Sequence, residues 1–387
     1  MTAGESHGPA LTAILEGMPA GVPLAVEAIN HELARRQVGY GSGGRMKIEK
    51  DTVRLTSGVA VGVTTGGPIA LHVENDDWAN WEGRQVTPIT RPRPGHADLT
   101  GGLKYGYNDL RHALERASAR ETTMRVAMGA LCKALLEALD VTVGGYVIVL
   151  GPVEATIPAR PLAELVTLAE ANEMRCPDPE AAEAMREAVK AIRKAQDTLG
   201  GILEVVAEGV PPGLGSYVQW DRRLEARLAL AMMSIQAMKG VEIGPAFRNA
   251  TLPGTEVHDE IFMEGGRPVR HSNRAGGFEG GITTGEPVVV RAAMKPISTI
   301  LAGLRSVDLA TQREEKTVYE RSDFTAVHRA VVVAEAMVAF VLADAMLEKL
   351  GGDSLGEILP RLALLHEQQA AWLQGGVSSE PYEWRVP

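Results

Sequence analysis

AVHRAVVVAEAMVAFVLADAMLEKL, residues 326–350, is the stretch whose reading decides the fold. It has helical length and is apolar nearly all round. A surface helix keeps one polar face, so this one must be buried on several sides. That calls for a helical layer covered by sheets, or for a subunit interface. Glu335 and Asp344 break the apolar run from Ala330 to Leu347, which argues against a membrane span.

Outward from this helix, strand-like and helix-like segments mix without the strict βαβα alternation of a doubly wound fold. Strands are predicted at 11–16, 46–55, 69–73, 141–150, 202–207 and 287–294. Helices are predicted at 26–36, 110–139, 162–171, 179–199, 222–238 and 326–350. The strands cluster between helices, which favours an α+β fold with antiparallel sheets. No linker rich in Pro or Ser cuts the chain, so one domain is expected over residues 1–374. The tail from 375 to 387 is expected to be loosely ordered.

The 387 residues carry 39 basic and 49 acidic side chains, a net charge of −10. This balance argues against a protein that coats nucleic acid or an anionic membrane. The charge is unevenly spread: residues 35–50 sum to +4, 91–125 to +3 and 270–299 to +2, leaving −19 elsewhere. Glycine is abundant at 42 residues, without a collagen period, against only 5 Phe, 7 Tyr and 5 Trp. Cys132 and Cys176 offer neither a disulfide framework nor a thiolate metal site and read as buried, inert thiols. No signal peptide is expected ahead of Thr2-Ala3-Gly4, and the setting reads as cytoplasmic.

The segment from Leu110 is the most legible amphipathic element. Leu110, Leu114, Ala117, Glu121, Met124, Met128, Leu131 and Leu135 follow steps of three and four, with Glu121 the single charge on that stripe. Arg116 and Arg120 are predicted as neighbours one turn apart, separated by Ala117, Ser118 and Ala119, whose small side chains let a ligand approach the backbone. A solvated Arg/Glu face is the plain alternative.

Residues 39–44 match G-x-G-x-x-G, but a helix precedes them and a strand is predicted to follow, the reverse of a dinucleotide fingerprint. What remains is a glycine loop flanked by Arg35, Arg36, Arg45 and Lys47, suited to a phosphate or carboxylate, or simply a basic surface loop. Arg91 to Asp98 is stiffened by Pro92 and Pro94 and holds Arg93 beside His96, a preset anion and proton-transfer site. His7 lies beside Gly8 with room for a docked ring. Glycine pairs between 276 and 281 allow close main-chain contact with a ligand, and Lys295, Ser298 and Thr299 add a cation and two hydroxyls. No Walker A or H-E-x-x-H occurs, which removes the usual support for triphosphate hydrolysis and zinc peptidase chemistry.

These blocks together closely resemble the chorismate synthase family. The matching text is G-E-S-H-G at 4–8, R-R-Q-x-G-Y-G-x-G-G-R-M-K-I-E at 35–49, R-P-G-H-A-D at 93–98 and K-Y-G-x-x-D-x-R at 104–111. It continues with E-R-A-S-A-R-E-T-x-x-R-V at 115–126, S-I-Q-A-M-K-G-V-E-I-G at 234–244, the glycine loop 273–285, K-P-I-S-T at 295–299 and R-S-D at 321–323. The resemblance implies a helical layer sandwiched between antiparallel sheets in a homotetramer. It also implies a 1,4-anti elimination of phosphate from 5-enolpyruvylshikimate 3-phosphate, with reduced FMN as cofactor and a link to NADP.

By the same resemblance, His96 would assist phosphate departure, His7 would act at the flavin and Asp323 would help to relay the ring proton. Arg36, Arg45, Arg93, Arg120 and Arg321 would cage the phosphorylated substrate. Flavin contacts would come from Arg116, Ala117, Ser118, Gln236, Ala237, Gly280 or Gly281, Lys295, Pro296, Ile297, Ser298, Thr299 and Arg321. The chain departs from the family at Ser42, where many members have Arg, and in a short N terminus that could fray the segment carrying His7 or mean that the true start lies upstream. No reductase domain is appended, so an external flavin reductant is expected. Two other classes remain in view: a non-catalytic flavin or anion binder on the same scaffold, and an RNA-binding module, which the scarcity of interleaved aromatics disfavours.

Overall fold

A computed structural model describes residues 1–41, 50–317 and 323–381. The helix Val327–Leu350 lies at the centre, with 18 of its 24 residues buried. Its length and composition would suffice for a membrane span, yet most of it is enclosed by the rest of the chain. It packs on helix α1 (Val26–Gln37), on a helix spanning Thr122–Glu137, on Leu224–Met233 and on strands of the larger sheet. Gly129 marks the closest crossing, because a Cβ there would stand 2.2 Å from that of Ala336. Two helix backbones approach this closely only where one carries no side chain.

Two antiparallel sheets enclose this helical layer. The first has the order Thr2–Ala3, Ala10–Leu15, Ile69–Glu74, Arg54–Ser57, and the second Met238–Ile243, Val288–Met294, Gly201–Glu208, Thr142–Leu150, Val153–Glu154. In Ala10–Leu15 and Ile69–Glu74 buried residues alternate, as expected where one face meets the helices. Thr142–Leu150 and Gly201–Glu208 instead carry runs of buried residues, because Leu162–Glu170 covers their outer face through Leu162, Leu165 and Ala169. The predicted α+β sandwich is the observed architecture.

Several boundaries differ from the sequence reading. The predicted strand 46–55 survives only as Arg54–Ser57, and residues 42–49 lie outside the described residues. Just before it, the amides of Asp51 and Val53 donate to side chains of α1, Gln37 and Asn30, rather than to a neighbouring strand. The helix expected over 179–199 stops at Lys194, where Gln196 turns left-handed at φ +58°, and the one over 222–238 is confined to Leu224–Met233. Asp98–Tyr105 and Leu355–Leu373 are helices that the sequence reading did not anticipate.

The largest correction concerns residues 110–139. Ser118 is extended at φ −62°, ψ 142°, and its Oγ accepts from the amide of Arg120, so the expected single helix becomes three pieces: Arg111–Ala117, a 3-10 turn at Ala119–Glu121 and Thr122–Glu137. A serine that bonds to nearby backbone competes with helix continuation. The break also separates Arg116 from Arg120. The first stays exposed, and the second turns into the interior.

Candidate active site

The break at Ser118 positions the first part of the site. Ser118 Oγ donates to Ser6 Oγ at 3.1 Å, and Arg116 donates to the carbonyls of Thr2 and Gly4. Thr2 Oγ donates to Glu121 at 2.7 Å, and the N-terminal strand pairs with Thr12 and Ala13. The segment carrying His7 is therefore tied at several points, contrary to the fraying considered from its short N terminus. His7 Nδ1 stands 2.8 Å from Glu115 Oε1, its backbone amide donates to Glu115 Oε2 at 2.7 Å, and its ring packs on Trp81 at 4.2 Å. Burial would raise the Glu115 carboxyl, but the bonds and charge of His7 outweigh it and hold it low. An ionised carboxylate can only accept, so Nδ1 carries the proton and Nε2 is the basic nitrogen of the neutral ring.

The stiff loop repeats this construction. His96 Nδ1 lies 2.5 Å from Asp98 Oδ1, while Arg93 reaches Asp98 through Nε at 2.8 Å and Nη2 at 3.0 Å. Asp98 is fully buried at the start of Asp98–Tyr105. Burial would raise its carboxyl, yet bonds from His96 and Arg93 keep it well below the usual carboxylate range. His96 therefore also donates from Nδ1 and presents Nε2. Arg93 Nη1 donates to Thr299 Oγ at 3.0 Å, and Lys295 donates through Nζ to the carbonyl of Gly95. The segment 295–299 is thereby fastened to the His96 loop, with Ile297 held by Thr198 at 2.8 Å.

Gln236 and Ala237 lie beside this segment, where the carbonyl of Ala237 accepts from the amide of Lys295 at 3.0 Å. Ala237 adopts φ +68°, a left-handed conformation that costs about 1 kcal/mol or more in a residue with a side chain. Gln236 Nε2 donates to Glu121 at 3.1 Å, whereas its Oε1 is buried with no hydrogen-bond partner among the described residues. Such an acceptor suits a ring N–H of a bound heterocycle. With Lys295, Ser298 and Thr299 nearby to take an anionic tail, these residues fit a flavin mononucleotide.

A buried ionic cluster forms the third part. Asp51 accepts from Arg36 at 2.8 Å and from Arg120 at 2.6 Å, with Thr123 Oγ at 3.2 Å. Burial opposes the charge on Asp51, but the two guanidiniums overcome it and lower its pKa. Asp323 Oδ2 pairs with Arg329 at 2.5 Å. Arg35, next to Arg36, instead joins Glu335 and Glu32 of the helical layer and Glu170 at the end of Leu162–Glu170, and does not belong to the site. Arg45 and Arg321 lie outside the described residues, as do Ser42 and Lys47.

Gly280 and Gly281 form the turn of the hairpin joining Phe278–Glu279 to Ile282–Thr283, both at positive φ. The preceding Gly276 packs on Gly244, just past the far end of Met238–Ile243. The six residues of Met238–Ile243 separate Gly244 from Ala237, roughly 20 Å of strand. Within one chain Gly276, which leads into the hairpin, and Ala237 therefore lie toward opposite ends of Met238–Ile243.

Asp51, Asp98, Glu115 and Trp81 were not singled out from sequence. Asp98 and Glu115 stood within quoted motifs, two residues after His96 and one before Arg116, but nothing in a linear motif shows which histidine a carboxylate will orient.

A family model described as chorismate synthase matches residues 1–347. The chain belongs to the chorismate synthase family. A chorismate synthase of Aquifex aeolicus is 54% identical over 379 residues, covering 93% of this chain and 95% of that protein. One of Enterococcus faecalis is 53% identical over 371 residues, covering 92% and 96%. A solved crystal structure of chorismate synthase superposes with a TM-score of 0.79 at 45% identity, covering 97% of each chain. Family membership extends over both sheets and the helical layer, so the sandwich and the clusters described above belong to one family scaffold.

Proposed function

We propose that this chain is a carbon–oxygen lyase that eliminates phosphate from 5-enolpyruvylshikimate 3-phosphate to give chorismate, with reduced FMN as cofactor. The observation that carries the reading is the pair of histidines, His7 and His96, each fixed through Nδ1 by an ionised carboxylate so that Nε2 is presented. Elimination breaks a carbon–oxygen bond and removes a ring proton, so the site must stabilise the departing phosphate and accept that proton. Reduced FMN, when bound, supplies an electron-rich ring and a basic nitrogen without net redox change.

His96 delivers a proton from Nε2 to the leaving phosphate, and Asp98 stabilises the charged imidazole before transfer. Arg93, Arg36 and Arg120 bind the anionic groups, joined in this reading by Arg45 and Arg321. His7 acts beside the flavin, with Glu115 fixing its tautomer, and Asp323 carries the proton onward. Ser118, Gln236, Ala237 and residues 295–299 hold the flavin, with Arg116 and Ala117 bordering it. Residues 1–374 act as one catalytic unit, cytoplasmic and homotetrameric, served by an external reductant of the flavin.

The test is an anaerobic assay with chemically reduced FMN. Wild-type protein should release phosphate and form chorismate. His96→Ala, His7→Ala and Asp323→Ala should each lower kcat by about 10²-fold or more. Absence of phosphate release from the wild type would overturn the reading.

A further inference from the structure

Arg329 lies in the first turn of Val327–Leu350 and belongs to none of the roles assigned above. It is buried to 8% exposure, like Arg36 at 8% and Arg120 at 7%, and its charge is felt at Arg36. Three guanidiniums thus lie close together against two carboxylates, Asp51 and Asp323. His328 adds no charge, because burial and the nearby Arg329 and Arg175 keep its ring neutral. The described cluster therefore carries an excess of one positive charge in a desolvated setting.

Its donors are also in excess. Arg329 Nη2 pairs with Asp323 out of line, and Nε and Nη2 of Arg329 are buried without a hydrogen-bonded acceptor among the described residues. Nε of Arg36 is in the same position. Buried guanidinium N–H groups require acceptors, and the planar fork of arginine matches carboxylate and phosphate oxygens.

We propose that Arg329 is a further anion-binding residue of this site, taking a carboxylate or phosphate oxygen of the substrate while it holds Asp323 in place. The choice of substrate rests on the function proposed above; the binding of an anion does not.

The full chain is loaded with oxidised FMN, which cannot lend electrons, so bound ligand is not consumed. Calorimetry then measures binding of two probes, 5-enolpyruvylshikimate 3-phosphate and inorganic phosphate. Arg329→Met should weaken both by tenfold or more, and Arg329→Lys should recover part of the loss. Asp323→Asn removes the carboxylate competing for Arg329, so it should tighten phosphate binding at least threefold, and the gain should vanish in Asp323→Asn/Arg329→Lys. A folded Arg329→Met protein that binds both probes within twofold of wild type overturns the proposal. If Arg329→Met does not fold, persistence of the Asp323→Asn gain in the double variant, or its absence from the single one, overturns it. A wild type that binds phosphate but not the phosphorylated substrate, with Arg329→Met weakening phosphate, sinks the proposed function and supports the role of Arg329. A wild type that binds neither probe sinks both.

Discussion

Asp98 shows what a residue can decide without touching substrate. Its carboxylate accepts from His96 and Arg93 and is itself fully buried. Asp98→Asn keeps the shape but removes the charge that selects the Nδ1–H tautomer and stabilises an imidazolium. We expect kcat to fall by about 10²–10⁴-fold with a smaller change in KM, checked by steady-state phosphate release under anaerobic conditions. An unchanged kcat would remove Asp98 from the proton-transfer chain. Single residues also mark the limit of what sequence revealed. Arg35 and Arg36 are adjacent and were read alike, as cations flanking a glycine loop. A helix sends consecutive side chains about 100° apart, so one meets Glu335 between helices and the other meets Asp51. Charge type was legible, but its partner depended on where the helix packed.

Among the elements, the helix Val327–Leu350 was legible because apolar residues on every side leave it only one place to go. The break at Ser118 was hidden, since apolar spacing continues across it from Leu114 to Met124 and periodicity does not register one extended residue. The long helix also carries Glu335, fully buried and bonded to Arg35 of α1 and to Lys133. Burial opposes ionisation of Glu335, but Lys133 and Arg35 outweigh it and lower its pKa from 4.5 to about 2. Glu335→Gln leaves two cations without this counter-ion, and we expect a loss of about 3–5 kcal/mol at neutral pH, measured by denaturant unfolding. A depressed carboxyl stabilises the fold above its unfolded pKa, and the contribution is lost as pH falls through the folded value. The stability gap between wild type and variant should therefore be full above about pH 5 and should close between about 4.5 and 2. A gap independent of pH across that window would assign the loss to packing instead.

For the whole molecule, the net charge of −10 and the buried cationic cluster make opposite predictions for an anionic substrate. If the global charge governed encounter, salt would screen repulsion and raise kcat/KM. The positive segments 35–50 and 91–125 contribute Arg36, Arg93 and Arg120; Arg93 lies beside His96, and the buried guanidiniums of Arg36, Arg120 and Arg329 outnumber their carboxylates, Asp51 and Asp323, by one. Low-dielectric walls concentrate the field of these guanidiniums toward the site, and its range in solution is about 10 Å at 0.1 M salt. An incoming polyanion should therefore respond to the nearer positive charges. We expect kcat/KM to fall several-fold between about 0.02 and 0.3 M monovalent salt, with kcat nearly constant once substrate is saturating. Arg93→Met should flatten that dependence as well as raise KM, because it removes one of the charges that salt screens. A rise in kcat/KM with salt would show that the acidic exterior dominates approach and would detach the cationic cluster from substrate capture.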